Sequence, residues 1–247
     1  MNQGVYGFPV GQDFPNGLLG LPPRLDSLEH TGPPITDYVG WWDSSDYSSL
    51  TIVSNLITQW NDLTGSGNHF IQTSASLQPS YGSRKINGIV VPDFDGSSDY
   101  MTGGLSVGAP ATVFWVGEPD SLGTLNMWGT VPNGLTGRIN PSGQLSTLKD
   151  GVAGITLTTA AMQVGQPVVC VHTADGSVGV LRQNETWLSQ AFAQTPVAGG
   201  FSIGSRNGAG SAWWDGALAE FFCYDRILTT EEISSMVDYL SQKWGVG

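Results

Sequence analysis

The residues Gly200-Phe201-Ser202-Ile203-Gly204 satisfy G-x-S-x-G, the spacing that presents a nucleophilic serine on a sharp strand-to-helix turn. Here the pattern sits inside an apolar run and is followed by SRNGAGS, a loop composition with no helix, so no exposed serine elbow is expected. The three histidines, His30, His69 and His172, show no H-x-x-x-H or other zinc spacing, and each reads as structural. Asp43, Asp46, Asp62, Asp93, Asp95 and Asp99 fall near turn residues, and Ca²⁺ takes this kind of oxygen donor. Asp is also an ordinary turn former, and no EF-hand-like spacing is present, so no metal site is expected. Cys170 and Cys223 lie in the apolar runs PVVCVH and EFFCYD without a CxxC, as expected of buried free thiols.

Nine tryptophans admit two uses. An exposed indole can stack on a sugar ring, whereas a sandwich core consumes large aromatics. No single tryptophan is marked as a platform by its neighbours in sequence. Asn184-Glu185-Thr186 is formally a glycosylation sequon, but the N-terminus MNQGVYGFPVGQDFPNG has neither a basic nor an apolar region of a signal peptide. Synthesis in the cytoplasm is expected.

The elements that must position these residues are short strands. ATVFWVGE (111–118), PVVCVHT (167–173), SVGVLRQ (177–183), GFSIGSR (200–206) and ALAEFFCYD (217–225) are apolar runs bounded by Gly, Asn, Asp, Ser or Pro, the pattern of a sandwich or jelly roll. Asp175-Gly176 between two of them is a hairpin signal. One helix closes the chain. Thr229 and Glu232 form a capping box, Ile233, Met236, Val237, Leu240 and Trp244 recur on one face, and Gly245 stands as C-cap. Burying those five side chains contributes on the order of 7–15 kcal/mol gross, so the helix must pack on a sheet.

Residues 1–36 differ from the rest. Pro9, Pro15, Pro22, Pro23, Pro33 and Pro34 exclude helix and sheet interior, yet Tyr6, Phe8, Val10, Phe14, Leu18, Leu19 and Leu21 give an apolar set that a flexible spacer lacks. The expectation is an extended arm that docks on another surface through Tyr6, Phe8, Phe14, Leu18, Leu19 and Leu21, followed by one domain over 37–247.

The chain has 247 residues, 40% hydrophobic and only 12% charged, with 34 Gly and 14 Pro, which excludes disorder and a helical bundle. Nine basic against 21 acidic residues leave a net charge of −12. A nucleic-acid binder needs a basic stripe to displace counterions, and anionic membrane surfaces need the same, so neither partner is expected. No run of 18 apolar residues offers a membrane span.

VGWWDSSDYSSL (39–50), ITQWNDLTGSGNHFIQ (57–72), Pro79, INGIVVPDFDGSSDYM (86–101) and WWDGALAEFFCYDRILTTEEISSMVDYLSQKWG (213–245) together resemble, in order, a laminin-G/concanavalin-A-like lectin jelly-roll domain of the kind found in phage virion proteins. The resemblance implies an all-β fold, a two-sheet antiparallel sandwich with the C-terminal amphipathic helix laid against it. Glycan-cleaving relatives would carry Glu-x-Asp-x-x-Glu on one strand, setting two carboxylates about 5 Å apart. The six glutamates, Glu29, Glu118, Glu185, Glu220, Glu231 and Glu232, do not form that motif. The resulting expectation is a non-enzymatic phage virion protein, a capsid decoration or surface appendage. Its arm would hold other virion proteins such as the major capsid protein, and self-association is a further option. The alternative is a carbohydrate-binding module, alone or on a virion; a glycan-active enzyme would lack its catalytic motif.

Overall fold

The computed structural model describes residues 32–131, 134–149, 152–192, 199–206 and 212–247, and Gly32–Gly247 form one compact unit. The expected arm residues Tyr6, Phe8, Phe14, Leu18, Leu19 and Leu21 lie outside the described residues, as does His30. Strands run β1 (Gly40–Asp43), β2 (Leu50–Val53), β3 (Leu56–Trp60), β4 (Phe70–Ile71), β5 (Lys85–Ile86), β6 (Ile89–Val90), β7 (Asp93–Asp95), β8 (Met101–Val107) and β9 (Ala111–Pro119). They continue as β10 (Leu125–Val131), β11 (Leu135–Ile139), β12 (Leu145–Lys149), β13 (Val152–Thr156), β14 (Val168–Ala174), β15 (Val178–Gln183), β16 (Thr186–Ala191), β17 (Gly199–Ile203) and β18 (Asp215–Tyr224), before helix α1 (Thr230–Trp244).

Two antiparallel sheets face each other. The smaller has the order β1-β18-β9-β14-β15-β16, with β7 also paired to β18, and the larger has the order β13-β12-β11-β10-β17-β8-β4-β3-β2. Trp42, Trp60, Phe70, Trp115, Trp128, Phe201 and Phe221 fill the space between them. Strands adjacent in a sheet are often far apart in sequence, as β9 and β18 are, which share the register Phe221↔Trp115. The two-sheet sandwich expected from the turn spacing is therefore present.

The apolar runs of β9, β14 and β18 reflect burial on both faces. Val113 and Trp115 point between the sheets, whereas Phe114 and Val116 point the other way, beneath α1. There they meet Val169, Val171, Phe222 and Tyr224, covered by Ile233, Met236, Val237, Leu240 and Trp244 of the helix. The expected caps are in place: Thr229 Oγ1 accepts from Glu232 N, the Glu232 carboxylate accepts from Thr229 N at 2.8 Å, and Gly245 takes a left-handed φ of 63°.

Turn chemistry is also as expected. Asp175 Oδ1 accepts from the backbone of Ser177 and Val178 in the β14–β15 hairpin. Asp95 gathers the amides of Ser97, Ser98 and Asp99, with Gly96 at φ 68°, where a side chain would be strained. The compact unit begins earlier than the residue-37 boundary drawn from proline content: Pro33 is buried, and Ile35 packs on the cluster beneath the helix, its carbonyl accepting from Tyr224 Oη at 3.0 Å.

Candidate functional site

Most of the residues singled out for chemistry are engaged in holding the fold. Ser202 is buried in β17, its hydroxyl within hydrogen-bond distance of the Gly129 and Ser205 carbonyls, and the next described element after β17 is the strand β18, not a helix. His172 lies between the sheets, where Trp115 Nε1 donates to its Nε2 at 3.1 Å and Thr147 Oγ1 is 3.1 Å from its Nδ1. Burial holds its pKa down at about 3. His69 Nδ1 accepts from the Asp62 amide in a turn. Cys170 and Cys223 are free and buried in the inter-sheet core, and burial pushes both thiols up.

The acidic residues follow suit. Asp62 accepts from Trp41 N, Thr64 and Asn68 N, and Asp46 caps a short 3₁₀ turn. Its network of serine and backbone donors holds Asp95 well below the usual carboxylate range despite partial burial, whereas burial and the Asp95 charge push Asp99 up to about 7. Burial likewise raises Asp93. Among the described residues no group of three or more His, Cys, Asp or Glu could hold a metal ion. Glu118 pairs with Arg84 and Glu185 with Arg182. Glu220 is fully buried, accepting from Trp41 Nε1, Trp244 Nε1 and Lys243.

The tryptophans divide by layer. Trp42, Trp60, Trp115, Trp128, Trp214 and Trp244 are fully buried. Trp41 and Trp187 pack against the cluster beneath α1, Trp41 stacked on Phe222 and Trp187 under the guanidinium of Arg182. Trp213 is different. It bridges Asn126 of β10, and its half-buried ring lies 5.8 Å from that of Tyr100. Since Trp214 points into the inter-sheet core, Trp213 points to the opposite, outward side.

That outward face of the larger sheet carries a cross-strand polar row. Asn126 pairs with Arg138 of β11, Arg138 with Ser146 of β12, and Ser146 with Thr156 of β13. Their neighbours Ile139, Leu145 and Ile155 point inward, so strand alternation sends the row outward. Ser146 Oγ and Thr156 Oγ1 are 3.0 Å apart. Two residues along, Thr136 pairs with Gly129, and the backbone of Arg206 lies against Gly129 so closely that a Cβ there would come within 2.6 Å of the Arg206 carbonyl oxygen.

Arg138 is half-buried, its Nε has no acceptor, and no carboxylate pairs with it among the described residues. Burial, and then the like charge of Arg206, hold its pKa below the ordinary value. Sequence reasoning did not single out Arg138, Tyr100 or Trp213. The alternation in LTGRI marks Arg138 as outward, but its row neighbours come from other strands.

A hollow of about 200 Å³, away from this face, is lined by Val39, Val107, Pro110, Tyr224 and Asp225 among others. It carries no cluster of convergent polar groups.

No protein-family model matches the chain, and no curated protein matches it. Solved structures do. It is similar to domain 4 of a GH43 extracellular arabinanase from Geobacillus stearothermophilus, solved in complex with arabinotriose, with TM-score 0.59, 15% identity, and 82% of this chain and 98% of that one covered. It is also similar to part of a Trypanosoma rangeli sialidase solved with sialic acid, with TM-score 0.57, 15% identity and 85% of this chain covered. The match spans 34% of the sialidase chain. At such identity the likeness concerns the fold alone: the chain is a two-sheet antiparallel jelly-roll sandwich with a C-terminal helix.

Proposed function

We propose that this domain is a non-catalytic carbohydrate-binding module that holds glycan chains on the outward face of its larger sheet. The observation that carries the reading is the placement of Trp213. Of the nine tryptophans it is the one on that face, its ring beside Tyr100 and next to the row Asn126-Arg138-Ser146-Thr156. An aromatic ring supplies the apolar face of a sugar with a stacking surface, and Arg138 and Thr156, the half-buried members of the row, supply hydrogen-bonding groups for its hydroxyls, with Asn126 and Ser146 buried between them. The likeness to an arabinanase domain solved with arabinotriose and to part of a sialidase accords with a glycan-handling role. The described glutamates are engaged in ion pairs, in the buried Glu220 network or at the helix start, which favours binding over bond cleavage.

Calorimetric titration against a polysaccharide panel tests this. Trp213→Ala is expected to weaken binding roughly tenfold, the equivalent of about 1.4 kcal/mol, within the range of an aromatic contact. Tyr47→Ala, an exposed position at a separate aromatic pair with Tyr81, is expected to leave binding unchanged. Unaltered binding by Trp213→Ala would overturn the assignment of the face.

The virion role expected from the sequence draws on Tyr6, Phe8, Phe14, Leu18, Leu19 and Leu21, outside the described residues. The likenesses above favour the glycan-binding alternative over it. Removal of residues 1–31, which leaves the Ile35–Tyr224 contact intact, is the truncation that asks whether the arm anchors the domain to a particle.

A further inference from the structure

Lys243, Asp43 and Glu220 form a cluster that the glycan-binding reading does not use. Asp43 closes β1 and is the direct register partner of Glu220 in β18, so the two carboxylates lie side by side beneath the last turn of α1. Lys243 comes down onto both, its Nζ 2.5 Å from Asp43 Oδ2 and 2.9 Å from Glu220 Oε2. The side chains of Lys243, Asp43 and Glu220 are 9%, 7% and 0% exposed. Trp244 and Tyr239 cover the amine, their ring centroids 5.4 Å and 5.6 Å from Nζ, which shields it from water.

A buried amine held against a buried carboxyl is a reactant pair as well as an ion pair. Two buried charges carry a desolvation cost that a neutral amide does not. Fixed contact also turns a bimolecular encounter into an intramolecular one, with an effective concentration of about 10⁵–10⁸ M for well-oriented groups. The two oxygens of Asp43 are placed differently. Oδ1 accepts from Ser45 N at 2.8 Å and from Ser45 Oγ at 2.6 Å, donors set where the oxyanion of a tetrahedral intermediate would form. Oδ2 faces Lys243 and is the oxygen free to leave. Glu220 is held by the indole N–H groups of Trp41 and Trp244 at 2.9 Å and 2.7 Å. Burial and the Asp43 charge push its pKa up to about 7, where a carboxyl both takes and gives a proton at neutral pH.

We propose that Lys243 and Asp43 condense in the folded protein into an isopeptide bond, with Glu220 carrying the protons. Nζ passes a proton to Glu220 and attacks Cγ of Asp43; the Nζ–Cγ bond forms and the Cγ–Oδ2 bond breaks. The ammonium gives up two protons in all and Oδ2 takes up both, so one water leaves and Glu220 is returned unchanged. The step consumes no oxidant, reductant or cofactor. Burial disfavours the ammonium, but the Glu220 and Asp43 charges outweigh it and leave its pKa raised, so the free amine is scarce and the bond forms slowly. The product joins the first strand to the last turn of the helix, across 200 positions of the chain, and clamps α1 onto the sandwich. This inference is independent of the glycan-binding reading.

Intact-mass spectrometry of the purified full chain, followed through prolonged incubation at neutral pH, tests it. The expected mass falls below that of the sequence by one water. Tryptic digestion should then yield two peptides joined through Asp43 and Lys243, with no cleavage after Lys243. Lys243→Arg keeps a cation against both carboxylates but offers no amine that can be deprotonated; it should stay folded by circular dichroism and keep its full mass. Glu220→Gln removes the proton carrier and should slow bond formation roughly a hundredfold or more. Full sequence mass in the wild type after incubation, loss of water within a single peptide, or a loss that persists in Lys243→Arg would overturn the proposal. A link from Lys243 to Glu220 would overturn the assignment of Asp43, and an unchanged rate in Glu220→Gln would overturn the role of Glu220.

Discussion

Trp115 donates its indole N–H to Nε2 of His172 across 3.1 Å in the interior of the sandwich. Indole nitrogen is a donor only, so Nε2 must be the accepting nitrogen and the ring proton sits on Nδ1. That proton faces Thr147 Oγ1, whose own hydroxyl is 3.3 Å from the Thr136 carbonyl. The chain Trp115–His172–Thr147–Thr136 thus ties β9, β14, β12 and β11 together across the two sheets. It works only with a neutral imidazole.

This arrangement sets a pH dependence. His172 has a folded pKa of about 3 against about 6.5 when unfolded, so between these values the unfolded chain binds more protons. Stability is therefore expected to fall as pH drops from about 6.5 towards 3, by up to about 1.4 kcal/mol per unit from this group. His172→Gln keeps an acceptor and a donor without a titrating ring. Urea unfolding of both proteins at pH 7 and pH 5 should show the wild type losing more stability than the variant; parallel losses would refute the assignment.

Lys243, in the last turn of α1, reaches down to Asp43 and to Glu220, the latter at 2.9 Å. Glu220 is fully buried and also accepts from Trp41 and Trp244; burial and the Asp43 charge push its pKa up to about 7. Lys243→Met should cost about 3–5 kcal/mol, because it leaves buried carboxylates unpaired. Adding Glu220→Gln to that variant is expected to recover part of the loss, and chemical denaturation of the single and double variants measures it.

The two caps of α1 give a simpler pair. Thr229→Ala removes the side chain that accepts from Glu232 N and should destabilise by about 1 kcal/mol. Gly245→Ala places a side chain at φ 63° and should destabilise by about 1–2 kcal/mol. A 15-residue helix separates them by roughly 22 Å, so the double variant should show the sum. A clear departure from additivity would mean that the helix ends communicate.

Ser202 offers a check on the G-x-S-x-G pattern. Buried in β17 under the Ser205 and Arg206 segment, it should not react with a fluorophosphonate probe, as followed by intact-protein mass spectrometry. Stoichiometric labelling at Ser202 would require an exposed nucleophile that this packing does not offer.

Local patterns made much of the fold legible. Turn residues at short spacing marked the strands, Thr229 and Glu232 marked the helix start, and Asp175-Gly176 marked a hairpin, because φ/ψ preference and side-chain periodicity act over a few residues. The candidate site was not readable in this way. Asn126, Arg138, Ser146 and Trp213 become neighbours only through strand register, and the approach of Arg206 to Arg138 depends on a backbone lying over Gly129. The Glu220–Lys243 pair and the Trp115–His172 contact are equally non-local. Sequence by itself determined which residues alternate inward and outward; the register between strands distant along the chain, set by the packing of the whole core, decided which outward residues meet.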